Sequence, residues 1–173
     1  MTCMDILWQV MGVKRKVVDG EYFMTVGAED KLQVSIFLKS HRLAVIATNA
    51  TLDQSPESAL IAFVEDDDLS LYFQTSRYSR KANNLMLRQA ISLVIGLDLE
   101  EMATLQYEGT AQQLDAEDEI EACKALFLAK KSPTTPAYLE RPDTILFRVS
   151  PTWIRYSHYP EGAKHGHMIE IEF

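Results

Sequence analysis

Ser79, Arg80 and Lys81 stand together where a short apolar run ends and a helix-like stretch begins, in FQTSRYSRKANNL (residues 73–85). A serine at a helix N-cap turns its hydroxyl toward the free N–H groups of the first turn. Those amides, the positive end of the helix dipole and two adjacent cations would converge on one point, which is the electrostatics that a phosphate group requires. Arginine grips two phosphate oxygens in a fixed fork, and lysine adds a mobile point charge. A capped, solvated helix start has the same composition, so the motif alone leaves both readings open. The chain has seven glycines and no GxGxxG or Walker pattern. A cofactor phosphate would therefore have to be held without a glycine loop.

Other chemistry-bearing residues are sparser. His158, His165 and His167 gather near the C-terminus. A His-X-His pair on an extended segment turns both rings to one side, a geometry usable by a metal or a haem iron. No Cys or acidic ligand stands at a defined spacing to them, so no metal site is assigned and a solvated tail is the favoured reading. EDDD at 65–68 lacks the spacing of a calcium loop and reads as a turn. Trp153 and Arg155 alternate on a strand-like segment and would share one face. No nucleophile elbow or paired-carboxylate pattern is visible, and no residue is assigned a catalytic role.

The elements that would position these residues are mostly strands. Asp30 suits an N-cap, with Leu32, Ile36 and Lys39 on one side of the following helix and Val34, Phe37 and Leu38 on the other. LAVIAT (43–48), SALIAFV (58–64) and LSLYFQT (69–75) are short β-rich runs separated by polar turns, a meander and not a βαβ unit. A helix from Ser79, with Ala82, Leu85 and Met86 on one face, leads to AISLVIGL (90–97) and MATLQYEGTAQQL (102–114). The segment 116–131 is the clearest helix: acids in its first turn and lysines in its last suit the dipole, and Ile120, Cys123, Leu126 and Phe127 form its stripe. TILFRVSPTWIRYSHY (144–159) gives one or two strands, and MIEIEF (168–173) alternates like an edge strand or an arm on a partner. Near the N-terminus, Asp19-Gly20 suits a hairpin turn. The sum is a mainly β, α+β chain: about six antiparallel strands in a small closed barrel with peripheral helices.

Charge and composition narrow the partners. The formal net charge is −8 and the longest basic block is KRK at 14–16, which argues against a general nucleic-acid surface. Cys3 and Cys123 are too few for a disulfide framework or a zinc motif. MTCMDILWQV lacks the pattern of a signal peptide, and no apolar run reaches the roughly 18 to 20 residues that span a bilayer. The expectation is a cytoplasmic protein with no membrane segment. Its organisation reads as an extension over 1–29, a domain over 30–159 and a C-terminal arm over 160–173.

The order LAVIAT, SALIAFV, LSLYFQTSRYSRKANNL, LQYEGTAQQL and ILFRVSPTWIRY resembles the FMN-binding split barrel family, the pyridoxamine 5′-phosphate oxidase-like proteins, over residues 32–159. The most specific part is Phe73-Gln74-Thr75 at a strand end, followed by Ser79-Arg80-Lys81 at a helix start. Gly109, where a strand must bend, and FRVSP of the closing strand lie in the right order. The resemblance implies a six-stranded antiparallel split β-barrel in which Ser79, Arg80 and Lys81 receive the FMN phosphate and Gln74 and Thr75 line the cofactor. Ser58, Ala59 and Leu60 would meet the isoalloxazine edge with their backbone. Thr104 falls where family members often place a glutamine near the flavin. Tyr156 falls where the closing strand offers an aromatic from the second subunit.

The resemblance further implies a homodimer with FMN at the subunit interface and a flavin-dependent oxidoreductase acting on a small molecule. Deazaflavin or haem are alternative ligands, and a non-enzymatic flavin-binding or sensing protein is an alternative role. Two features depart from true pyridoxamine 5′-phosphate oxidases. Their second strand carries Arg and Lys where this chain has Glu57 to Val64 without a basic residue, and the chain ends SHYPEGAKHGHMIEIEF in place of an Arg-His-rich substrate signature. These departures argue against the vitamin B6 reaction.

Overall fold

The structure, a computed structural model, describes residues 16–18, 21–23, 27–96, 102–130, 136–159 and 166–173. Strands β1 (Lys16–Val18) and β2 (Glu21–Phe23) pair antiparallel in a ribbon of their own, with Val18 opposite Glu21. This is the hairpin expected near the N-terminus; Asp19 and Gly20 lie outside the described residues, as do Cys3, Trp8 and His165.

The N-cap of helix α1 (Ala28–Ser40) lies three residues before the expected Asp30. Gly27 is the N-cap, and Asp30, in the third helical position, accepts the Gly27 N–H on its carboxylate at 3.0 Å. An acidic residue suits either position, because both face unpaired amides and the helix dipole. Val34, Phe37 and Leu38 turn into the core, whereas Leu32 and Ile36 stay exposed.

The strands that follow form the body of the molecule: β3 (Leu43–Asn49), β4 (Pro56–Glu65), β5 (Leu71–Ser76), β6 (Ala90–Ile95), β7 (Ala103–Gln113), β8 (Thr144–His158) and β9 (His167–Glu172). Their order is β5-β4-β3-β6-β7-β8-β9, and β5 also pairs with β8, so β3 to β8 close into a six-stranded antiparallel barrel. Buried and exposed residues alternate along β3, β5, β6 and β7, as the two-residue period of a strand requires when one face fills the barrel.

Strand β8 is one continuous strand with two partners on one edge. Thr144 to Val149 face β5, and Trp153 to His158 face β9. Its other edge pairs with β7, where the register shifts at Glu108/Gly109: Glu108 faces Trp153 and Gly109 faces Pro151, so Thr152 is the extra residue. Proline has no N–H to give a ladder and is tolerated at such a bulge. MIEIEF is thus an edge strand of its own chain's sheet.

The barrel interior packs Phe63, Phe73, Phe147 and Tyr107, with the Phe73 and Phe147 rings stacked at 5.2 Å. The Tyr107 phenol donates to Leu69 O (3.1 Å) and Val149 O (2.9 Å), which satisfies its hydroxyl inside the core. Outside the barrel, helices α3 (Glu117–Ala129) and α4 (Pro136–Leu139) enclose a second cluster of Val64, Leu114, Cys123, Phe127, Leu139 and Leu146. The expected stripe is present: Cys123 and Phe127 are buried, and Ile120 and Leu126 pack against them. The helix ends at Ala129, however, and Lys130 turns inward to pair with Glu65.

Burial pushes the Cys123 thiol up from 9.0 to about 12 and, with the hydrogen bond to Asp66, the Tyr72 phenol from 10.0 to about 12. A folded-state pKa above the unfolded one gives stability that is complete below the unfolded value and is lost as pH rises through the folded one. The unfolding midpoint should therefore begin to fall above about pH 9 and decline further toward pH 12. A thiol reagent at pH 8 should leave Cys123 unmodified until denaturant is added; rapid labelling of the native chain would contradict the buried site.

Candidate functional site

The chain enters α2 (Arg80–Leu87) through a tight turn at the end of β5, closed by Ser79 N–H to Ser76 O at 3.0 Å. Ser79 is the N-cap, in extended conformation, and its Oγ accepts the Ala82 N–H at 3.2 Å. Thr75 Oγ1 lies 3.0 Å from the same hydroxyl and fixes it from the strand side. Ala82 and Leu85 face inward as the periodicity predicts. The third inward residue is Asn84, not Met86, which is exposed. A buried amide is tolerated here because both N–H groups of its nitrogen are used: Asn84 Nδ2 donates to Thr48 Oγ1 at 3.0 Å and to Glu57 Oε2 at 2.9 Å.

A cleft of about 190 Å³ opens between the N-terminus of α2 and the start of β4, lined by Thr48, Glu57, Ser58, Ala59, Arg80 and Lys81. Arg80 NH1 donates to Glu57 Oε1 at 2.7 Å. The guanidinium is 79% exposed and the Glu57 side chain 20%, so the carboxylate is anchored from below by Asn84 and the arginine lies over it. Lys81 makes no hydrogen bond or ion pair with any described residue, and burial lowers the pKa of its ammonium. The open cation of the cleft is therefore Lys81.

Of the residues singled out in the sequence, Ser58, Ala59, Thr75, Ser79, Arg80 and Lys81 come together at this cleft or directly beneath it. Leu60 is next to it on β4 but points out of the barrel, 60% exposed. Gln74 and Thr75 are neighbours in a strand and take opposite faces. Thr75 reaches the cap, whereas Gln74 stands opposite Leu146, on the side of the second cluster. Thr104 is exposed on the outer face of β7, opposite Ser157. Tyr156 is a core residue of its own chain, 4% exposed and edge-on to Phe37 at 5.2 Å. His158 and His167 stand opposite one another across β8 and β9. Among the described residues no group of three or more His, Cys, Asp or Glu could hold a metal ion. Trp153 and Arg155 share a face as expected, the guanidinium 5.0 Å from the indole centroid.

The donor set suits a phosphate ester. The first amides of a helix have no intrahelical partner, the Ser79 hydroxyl is fixed in place, and two cations flank them. Glu57 is the one discordant group. The single-chain cleft is also smaller than the roughly 300 to 1,000 Å³ of a typical cofactor site, so a tricyclic ring would need further surface. That surface exists beside the cleft: Leu43, Leu60 and Val94 are exposed on the outer barrel face, with Val45 opposite both Leu60 and Val94.

A closed, six-stranded antiparallel barrel with peripheral helices, one of them capped beside the start of β4, defines a split barrel. Residues 31–158 match the pyridoxamine 5′-phosphate oxidase family, and the chain belongs to it. None of the curated proteins matches the chain. Among solved structures, Campylobacter jejuni ChuZ is similar with a TM-score of 0.69 at 15% identity, over 86% of this chain and 61% of that one. A heme-binding protein from Mycobacterium smegmatis gives 0.68 at 15% identity, over 86% and 60%. General stress protein 26 from Bacillus anthracis gives 0.59 at 22% identity, over 82% and 98%. The chain thus spans about three fifths of the first two and nearly all of the third. At these identities the likeness is one of fold. No helix among the described residues is long and apolar enough to cross a membrane.

Proposed function

We propose that the chain is an FMN-binding flavoprotein, a flavin-dependent oxidoreductase of a small organic substrate, acting as a homodimer with the flavin at the subunit interface. The observation that carries this reading is the cradle at the start of α2, where the capped helix end, Arg80 and the open Lys81 meet at one cleft. Ser79, Arg80, Lys81 and the first amides of α2 would hold the phosphate, with Thr75 fixing Ser79. The backbone of Ser58 to Leu60 would border the ring. The apolar patch of Leu43, Val45, Leu60 and Val94 would bury against a second copy and complete the undersized cleft, and Thr104 on the same outer face is open to it. Bound FMN supplies hydride or electron chemistry, while the protein fixes its phosphate and excludes water.

The test is the visible spectrum of the purified protein and the mass of any ligand released, which separates FMN from a deazaflavin. Arg80→Ala with Lys81→Ala should weaken FMN by about 1.5–3 kcal/mol and leave riboflavin, which lacks the phosphate, unchanged. Equal loss of both flavins would remove the cradle from the reading. Turnover of the flavin-loaded protein with NAD(P)H separates an enzyme from a flavin carrier or sensor. A second reading, haem binding, is favoured by the cross-strand pair of His158 and His167 and by the fold shared with the M. smegmatis heme-binding protein. A haem absorbance band in the same spectrum would select it.

A further inference from the structure

The phosphate cradle already contains an anion. Glu57 lies at the beginning of β4, opposite Thr48, and its side chain turns toward the N-terminus of α2. One carboxylate oxygen accepts from Arg80 at 2.7 Å and the other from the buried Asn84 at 2.9 Å, with Thr48 Oγ1 completing the Asn84 contacts. A carboxylate held by a buried amide is fixed in place, whereas its arginine partner is 79% exposed and reaches it from the solvent side. We propose that Glu57 is an internal competitor for the ligand's phosphate, occupying Arg80 in the free protein and leaving Lys81 and the helix amides as the first receptor.

The consequence is a filter on ligands. A phosphate group entering the cleft meets a fixed negative charge a few ångströms from Arg80, and like charges at that separation repel appreciably at low effective dielectric. Inorganic phosphate brings only its charge and is rejected. A phosphate ester with an apolar body brings additional contacts that offset the repulsion. This inference rests on the proposed phosphate role of the cradle, and its test separates the two.

Glu57→Gln removes the charge and keeps an acceptor for Asn84. FMN and riboflavin binding should be titrated by flavin fluorescence, and thermal unfolding followed in inorganic phosphate against chloride at equal ionic strength. The expected result is FMN binding roughly tenfold tighter in Glu57→Gln, riboflavin within about twofold of the wild type, and a larger phosphate-dependent rise in melting temperature. Arg80→Ala should then cost more FMN affinity in the Glu57→Gln background than in the wild type. Unchanged or weaker FMN binding in Glu57→Gln would overturn the proposal and make Glu57 an orienting partner of Arg80. Failure of either flavin to bind both proteins would remove the flavin reading alone. The phosphate-dependent melting shift then decides: larger in the variant supports the competitor, equal overturns it. If Glu57→Gln does not fold, Glu57→Ala carries the same expectations. If neither folds, the wild type decides by Lys81→Ala weakening FMN more than Arg80→Ala, and the reverse order overturns the proposal.

Discussion

Lys130→Met is expected to lower the unfolding free energy by about 3–5 kcal/mol, the usual cost of breaking one side of a buried ion pair. The Lys130 and Glu65 side chains are 9% and 6% exposed, and their charged ends are in direct contact. The same ammonium donates to Leu38 O at 3.0 Å and lies 4.4 Å from the Phe63 ring centroid. One side chain therefore ties the end of α3 to the end of α1 and to β4. Methionine fills similar volume but leaves the Glu65 carboxylate buried without a cation and the Leu38 carbonyl without this donor. Denaturant melts of Lys130→Met, and of Lys130→Met combined with Glu65→Leu, distinguish the cause. If the loss comes from the stranded charge, the double variant should recover most of it, since a buried pair is often no better than well-packed apolar residues. A single variant within about 0.5 kcal/mol of the wild type would place the pair in water.

Lys130 also shows where the sequence stops being legible. Its position at the end of an amphipathic helix points to a solvated cation complementing the dipole, and only the approach of β4 converts it into a buried partner of Glu65. Local signals of this kind fail when a distant strand changes the dielectric around a residue. Those that depend on the residue's own backbone succeed. The Ser79 cap was legible because a capping serine acts on amides within three residues of itself. The barrel was legible because each strand's alternation reports its own inward face.

The cradle was half legible for the same reason. Ser79, Arg80 and Lys81 are contiguous, so their types and spacing announce them. Glu57, Asn84 and Thr48 come from three elements, with 36 residues between the first and last of the Asn84–Thr48 bond. In sequence Glu57 stands out only as the absence of a cation, and nothing marks Asn84. Gln74 and Thr75, as strand neighbours, turn their side chains to opposite faces, so only the Thr75 side chain reaches the Ser79 cap. Tyr156 needed the tertiary structure, because a tyrosine on a closing strand suits the core and an interface equally.

Gly109→Ala is the second large effect, expected to cost roughly 3 kcal/mol through overpacking against groups that cannot move. Gly109 is an ordinary strand residue in its backbone angles, so the requirement is space. A Cβ there would fall inside contact distance of the Ser150 carbonyl oxygen, and would lie 3.0 Å from Val149 Cγ1 and 3.1 Å from Tyr107 Cε1. The carbonyl belongs to the β7–β8 ladder, and Tyr107 is held by its bonds to Leu69 O and Val149 O. Tyr107 cannot retreat without giving up its buried hydrogen bonds, and the carbonyl is backbone held within paired strands. The clash sits at the register shift that accommodates the extra residue Thr152, between Pro151 and Trp153, and lets β8 pass from β5 to β9. Hydrogen exchange should therefore show early loss of protection along the β7–β8 ladder in Gly109→Ala, ahead of β3 and β4. A variant of wild-type stability would mean that the bulge, and not the glycine, provides the room.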